Sequence, residues 1–112
     1  MSDLKELTDA LVAFRDARNW EQFHNSKDLA VALGIEAAEL NELFLWKSPE
    51  ACEKVNEERI KEELADVLAY ALLLANKHGF DVKKMVLEKI GKNGRKYPVE
   101  KSRNIASKYT DL

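Results

Sequence analysis

Apolar residues recur at helical spacing along most of the chain. Between Asp3 and Arg18, Leu4, Leu7, Leu11 and Phe14 repeat every three or four positions, which predicts a first amphipathic helix. The segment NWEQFHN, residues 19–25, then breaks the period and reads as a connection carrying two large aromatics and a histidine. Phe23 is expected to plug one end of a helix bundle. Trp20 and His24 have polar edges that need partners if buried, so both are candidates to touch a ligand. Ser26 is the expected N-cap of a second helix reaching Trp46, with Leu29, Leu33, Leu40 and Leu43 on one stripe. Ser48-Pro49 signals a third start, as N-cap and first-turn proline. Residues 50–61 are charged, possess no obvious chemistry and read as a solvated arm. From Ile60 to Ala75 the pattern is apolar almost all round, as in a helix buried on every side. A chain this small cannot easily surround such a helix, so a homo-oligomer is expected, with this helix near its interface. Gly79 ends that helix, with His78 as a cation at its C-terminus, and Asp81 caps a shorter one to about Ile90. The KIGKNGRKYP stretch that follows reads as a basic turn. Residues 99–112 read as a polar C-terminal tail, behind an all-α domain over residues 1–98 built from four to five helices.

Composition narrows the class without choosing the chemistry. With 112 residues, 46% apolar and 34% charged, the chain suits one helix-rich globular domain. A net charge of −2 argues against nonspecific binding to nucleic acid or to an acidic membrane. No apolar run approaches a membrane span, and the N-terminal residues lack a secretory pattern, so a cytoplasmic location is expected. The single cysteine, Cys52, excludes an internal disulfide and a cysteine-built zinc site.

Two pairs of acids break the apolar faces: Glu36 and Glu39 in GIEAAEL, then Glu63 and Asp66 in EELADV. Each pair has i, i+3 spacing, which puts both members on one side of a helix turn. Ionised carboxylates among leucines and alanines are costly unless something positive meets them. The bland alternative pairs each acid with a lysine or arginine of another helix. Facing each other, the pairs would make an all-oxygen hole, which favours Mg²⁺, with Mn²⁺ as substitute, over zinc. Di-iron bundles use Glu-x-x-His; here the third position after Glu36 and Glu63 is again an acid, which argues against oxygen-activating iron. Mg²⁺ is commonly shared with substrate phosphates. The basic stretch Lys89, Lys92, Asn93, Arg95, Lys96 and Tyr97 suits a polyanion, although as plain solvated surface it needs no explanation. Together these features indicate phosphoryl chemistry on a nucleotide, and the lack of a Gly-x-x-x-x-Gly-Lys-Ser/Thr loop excludes a P-loop enzyme.

The pattern Glu36-x-x-Glu39, 23 intervening residues, Glu63-x-x-Asp66 resembles the metal motif of the all-α nucleoside triphosphate pyrophosphohydrolases, the MazG-like superfamily. RDARNWEQFH, GIEAAELNELFLWK, EELADVLAY, KNGRKYPVEKSR and the ending KYTDL resemble its dCTP pyrophosphatase branch, from Phe14 onward. The resemblance implies that Glu36, Glu39, Glu63 and Asp66 are Mg²⁺ ligands. It places Trp20 and Trp46 in a base pocket and Tyr70 near the sugar and metal. Lys89, Asn93, Arg95 and Tyr97 fall on the C-terminal motif near the phosphates. It also implies a dimer, or a tetramer made of two dimers, whose pockets a neighbouring subunit completes. The implied reaction takes dCTP or a 5-modified dCTP to the monophosphate and pyrophosphate, in pool sanitation. A water would attack the α-phosphorus while one site carboxylate accepts its proton. The alternatives are the same reaction on dATP, dUTP or a broad set, and a non-enzymatic helical oligomerisation module whose acids form salt bridges. Vertebrate members carry a base-contacting histidine where this chain has Leu11, so base selection is where the pattern departs.

Overall fold

The computed structural model describes residues 2–112, all helical or irregular, with no strand among them. Contacts group the chain into two compact units, Met1–Phe80 and Asp81–Leu112.

The first unit holds four helices. Helix α1, Asp3–Ala17, starts where the Ser2 side chain accepts the Lys5 N–H, and Asp3 and Glu6 favour its positive end. Asn19, at φ 54°, turns the chain into a short 3-10 turn over Glu21–Phe23. Helix α2 spans Ser26–Glu42, and its N-cap is Asn25 rather than Ser26: the Asn25 amide oxygen accepts the Asp28 N–H at 2.8 Å. Ser26 is left free to share a 2.9 Å hydrogen bond with His78 Nε2. The helix also stops short of Trp46. Successive i→i+3 bonds carry residues 43–45, and Trp46 adopts φ 60°, a left-handed conformation that no glycine signalled.

Ser48 caps the four-residue α3, Pro49–Cys52, as its Oγ accepts the Ala51 N–H. The expected charged arm is in fact broken: a turn intervenes, and Asn56 caps a new helix by accepting the Glu58 N–H at 2.9 Å. That helix, α4, spans Glu57–Lys77 and ends in Gly79 at φ 68°, where glycine avoids the Cβ clash.

Helix α4 packs chiefly on α2 and less on α1. The Ser26–His78 bond joins the start of α2 to the end of α4, so the two run antiparallel. Leu29 is 1% exposed, and Leu43, Leu72, Leu73 and Ala75 complete the buried core. Leu33 and Leu40 of the expected stripe are half-buried. Within the single chain Leu64 and Leu68 of α4 remain exposed, in line with a helix that one chain cannot surround, whereas Phe23 is exposed rather than the expected bundle plug. One chain supplies α4 with too few neighbours to cover all its faces.

In the second unit the Asp81 carboxylate accepts the Lys84 N–H to start α5, Val82–Lys96. The helix continues six residues past Ile90, through Gly91 and Gly94, so the expected basic turn is helical. Arg95 and Lys96 in its last turn complement the negative helix end, which offsets part of the glycine cost. Tyr97 meets Tyr109 edge-on at 5.9 Å, and Lys96 Nζ lies 4.9 Å from the Tyr109 ring centre. The segment after Pro98 holds a short helix α6, Val99–Ser102, and a 3-10 turn over Tyr109–Asp111. No helix among the described residues is long and apolar enough to cross a membrane.

Candidate metal and nucleotide site

Antiparallel packing brings the acids of α2 and α4 together. Glu36 and Glu39 lie one turn apart on α2, and Glu63 faces them from the early turns of α4. One carboxylate oxygen from each falls within 4.8 Å of the other two. Glu36 and Glu63 are half-buried and Glu39 exposed. Glu36 Oε2 and Glu63 Oε2 are shielded from solvent and have no hydrogen-bond partner. Hydrogen bonding with Glu36, then its charge, holds the Glu39 carboxyl above its ordinary range. Glu63 is raised first by loss of solvent around it and then by the Glu39 charge, with Arg59 opposing. Three mutually repelling carboxylates with two orphaned oxygens fit a hard divalent cation, which would neutralise the charge and ligate the orphans. Salt bridging, the bland alternative, is not seen here: among the described residues no lysine or arginine pairs with Glu36, Glu39 or Glu63 within 4.0 Å.

Asp66 lies outside the three-carboxylate group, although its charge is felt at Glu63. It lines an adjoining cavity of about 250 Å³ together with Leu11, Phe14, Arg15, Trp20, His24, Ala69, Tyr70 and Leu73. This cavity unites most of the sequence-predicted pocket residues of the first unit. Trp20 is held edge-on against Phe14 at 5.9 Å, and the Arg18 guanidinium sits 3.6 Å over the Phe14 ring. Arg15 is pinned by Asp16 at 2.9 Å and Glu21 at 3.7 Å. His24 Nδ1 is shielded and unpartnered. A mainly apolar cavity with aromatic walls and a few polar edges suits a heterocyclic base.

Trp46 is absent from that lining and stands 94% exposed. Lys89, Asn93, Arg95 and Tyr97 all belong to the second unit, on α5 and its C-cap. Lys89, Asn93 and Tyr97 recur at i, i+4, i+8 and share a face, whereas Arg95 is offset.

One part of the surroundings escaped sequence reasoning. Beyond Glu39 and Glu63 opens a groove of about 690 Å³ that also carries Glu42, Lys47, Lys54, Asn56 and Arg59. The only signal was three cations within 13 residues, masked by interleaved glutamates.

The fold and site define a class: an all-α protein with a histidine-free carboxylate cluster between antiparallel helices, beside an aromatic cavity. Its members are matched by sequence as well. The chain belongs to the MazG-like family, whose profile matches residues 31–112. Over its whole length it is 41% identical to dCTP pyrophosphatase 1 of Rattus norvegicus, covering 67% of that protein. Identity to dCTP pyrophosphatase 1 of Homo sapiens is 38%, with the same coverage. A pyrophosphatase from Archaeoglobus fulgidus, known from its crystal structure, shares 40% identity and a TM-score of 0.83. That likeness covers 88% of this chain and 94% of the other.

Proposed function

We propose that this chain is a Mg²⁺-dependent nucleoside triphosphate pyrophosphatase that releases pyrophosphate and a monophosphate, with dCTP or a 5-modified dCTP as the favoured substrate. The observation that carries this reading is the crowded carboxylate cluster of Glu36, Glu39 and Glu63 next to the aromatic cavity. Relatives named dCTP pyrophosphatase 1 and a pyrophosphatase neighbour support the bond cleaved and the base. Glu36, Glu39 and Glu63 would hold the cation, with Asp66, whose charge is felt at Glu63, as the fourth ligand of the motif. When bound, Mg²⁺ (or Mn²⁺) supplies charge neutralisation at the triphosphate and polarisation of its phosphorus. The base enters between Trp20, His24 and Tyr70, where ring faces provide stacking area and Asp66 a polar edge. Leu11 offers that pocket an apolar contact only, so cytosine is read by the remaining polar groups. One site carboxylate accepts the proton of the attacking water. In the second unit, Lys89, Asn93, Arg95 and Tyr97 suit the binding of phosphate.

Exposed Leu64 and Leu68 on α4 favour a dimer, or a dimer of dimers, that covers this helix. The physiological role is nucleotide-pool sanitation in the cytoplasm. The test is pyrophosphate release from a panel of canonical and 5-modified triphosphates, with and without Mg²⁺. Fastest turnover is expected on a cytosine deoxynucleotide, with a raised KM in Trp20→Ala. Preference for dATP or dUTP would transfer the base assignment, and no release from any triphosphate would overturn the reading.

A further inference from the structure

We infer that the groove lined by Lys47, Lys54 and Arg59 is the seat of the β- and γ-phosphates, and that these three cations grip the pyrophosphate leaving group. The inference rests on the pyrophosphohydrolase reading and extends it to residues that neither the acidic motif nor the basic helix α5 includes. Three observations carry it.

The groove is continuous with the carboxylate cluster, because Glu39 and Glu63 belong to both. A polyphosphate that starts at the cluster therefore has an open path of about 690 Å³ beside it. The cations also converge from three separate elements. Lys47 follows the turns after α2, Lys54 lies in the turn after α3, and Arg59 stands in the first turn of α4. Ser48 and Asn56 cap the two short connections, which fixes the backbone that presents them. Finally, all three are exposed and none closes an ion pair among the described residues, although Glu39, Glu42 and Glu63 share the groove.

Charge explains why the arrangement suits a phosphate tail only when the cluster is loaded. The three groove carboxylates and three cations cancel, so the groove alone has little pull on a polyanion. With Glu36 of the cluster counted as well, a divalent cation there turns a small negative balance into a small positive one, which favours a pyrophosphate moiety. The guanidinium can bind two phosphate oxygens at once, and the lysines act as mobile point charges.

The test compares binding of the non-hydrolysable α,β-imido-dCTP with binding of dCMP, each in the presence of Mg²⁺. Lys54→Ala and Arg59→Ala should each weaken the triphosphate analogue about tenfold, in the range of one exposed charge-assisted phosphate contact. The triple variant K47A/K54A/R59A should lose about 100-fold or more and also lose inhibition by inorganic pyrophosphate. Affinity for dCMP should stay within about twofold, and Arg59→Lys should recover part of the loss. Because Arg59 also neighbours Glu63, K47A/K54A provides a variant that leaves the cluster untouched. Unchanged analogue binding in the triple variant would overturn the inference, as would a parallel loss of dCMP. The two readings fail separately. A wild-type protein that hydrolyses no triphosphate sinks the enzyme reading, whereas normal turnover with unaltered analogue binding in K47A/K54A/R59A sinks only the phosphate seat.

Discussion

Glu63→Gln removes one charge from the cluster while keeping side-chain volume, and the structure makes opposite demands on it with and without metal. Without metal, Glu63 closes no ion pair within 4.0 Å among the described residues, and loss of solvent and the Glu39 charge outweigh the favourable charge of Arg59. The neutral amide relieves that repulsion, so the metal-free protein should melt no lower than wild type. With metal, the substitution removes one of three anionic oxygens that lie within 4.8 Å of one another. Losing an outer-shell partner of a metal site typically costs 10–100-fold, so losing a ligand should cost at least about 100-fold in affinity. Mg²⁺ at about a hundred times its Kd raises the melting temperature of a domain this size by roughly 10 °C. A variant with 100-fold weaker binding keeps only about 1–2 °C of that rise at the same concentration. The assay is a thermal melt of both proteins across a Mg²⁺ titration, with pyrophosphate release measured in parallel. Turnover should fall by at least about 100-fold. A metal-free variant that melts several degrees lower would show Glu63 to be a structural ion-pair partner and would refute the reasoning, as would an undiminished Mg²⁺ shift.

Acidity should act on the same cluster with a definite sign. Glu39 and Glu63 hold their protons to higher pH in the folded chain than in the unfolded one. Metal-free stability from these groups is therefore fully present at or below the ordinary carboxylate range and is lost as pH rises through their folded values. The Mg²⁺-induced rise in melting temperature should run the other way, larger at about pH 7.5 than at about pH 5, because the cation competes with those protons; equal shifts at both would contradict it. Leu29→Ala, at the most buried side chain of the core, should cost about 2–4 kcal/mol in a denaturant melt. A loss below about 1 kcal/mol would mean that α2 and α4 are not held together there.

The sequence alone determined what depends on neighbours a few residues apart. Helical spacing located α1, α2, α4 and the start of α5, while Ser48-Pro49, Gly79 and Asp81 marked boundaries that the backbone respects. The i, i+3 acids were legible for the same reason, since one helical turn dictates that they share a side. Local chemistry was also where reading stopped short. Asn25 outcompeted Ser26 as a cap, Trp46 took a left-handed turn without glycine, and Gly91 and Gly94 failed to end α5.

Tertiary structure decided which side chains meet. The antiparallel register of α2 against α4 joined Glu63 to Glu36 and Glu39 and left Asp66 one turn along, in the cavity with Trp20 and Tyr70. It also gathered Lys47, Lys54 and Arg59 around a groove, although in the sequence they look like ordinary surface charge. Distances within a turn follow from 3.6 residues per turn, but distances between helices depend on how buried leucines such as Leu29, Leu72 and Leu73 pack. That packing is a property of the whole core, and no single stretch of the chain encodes it.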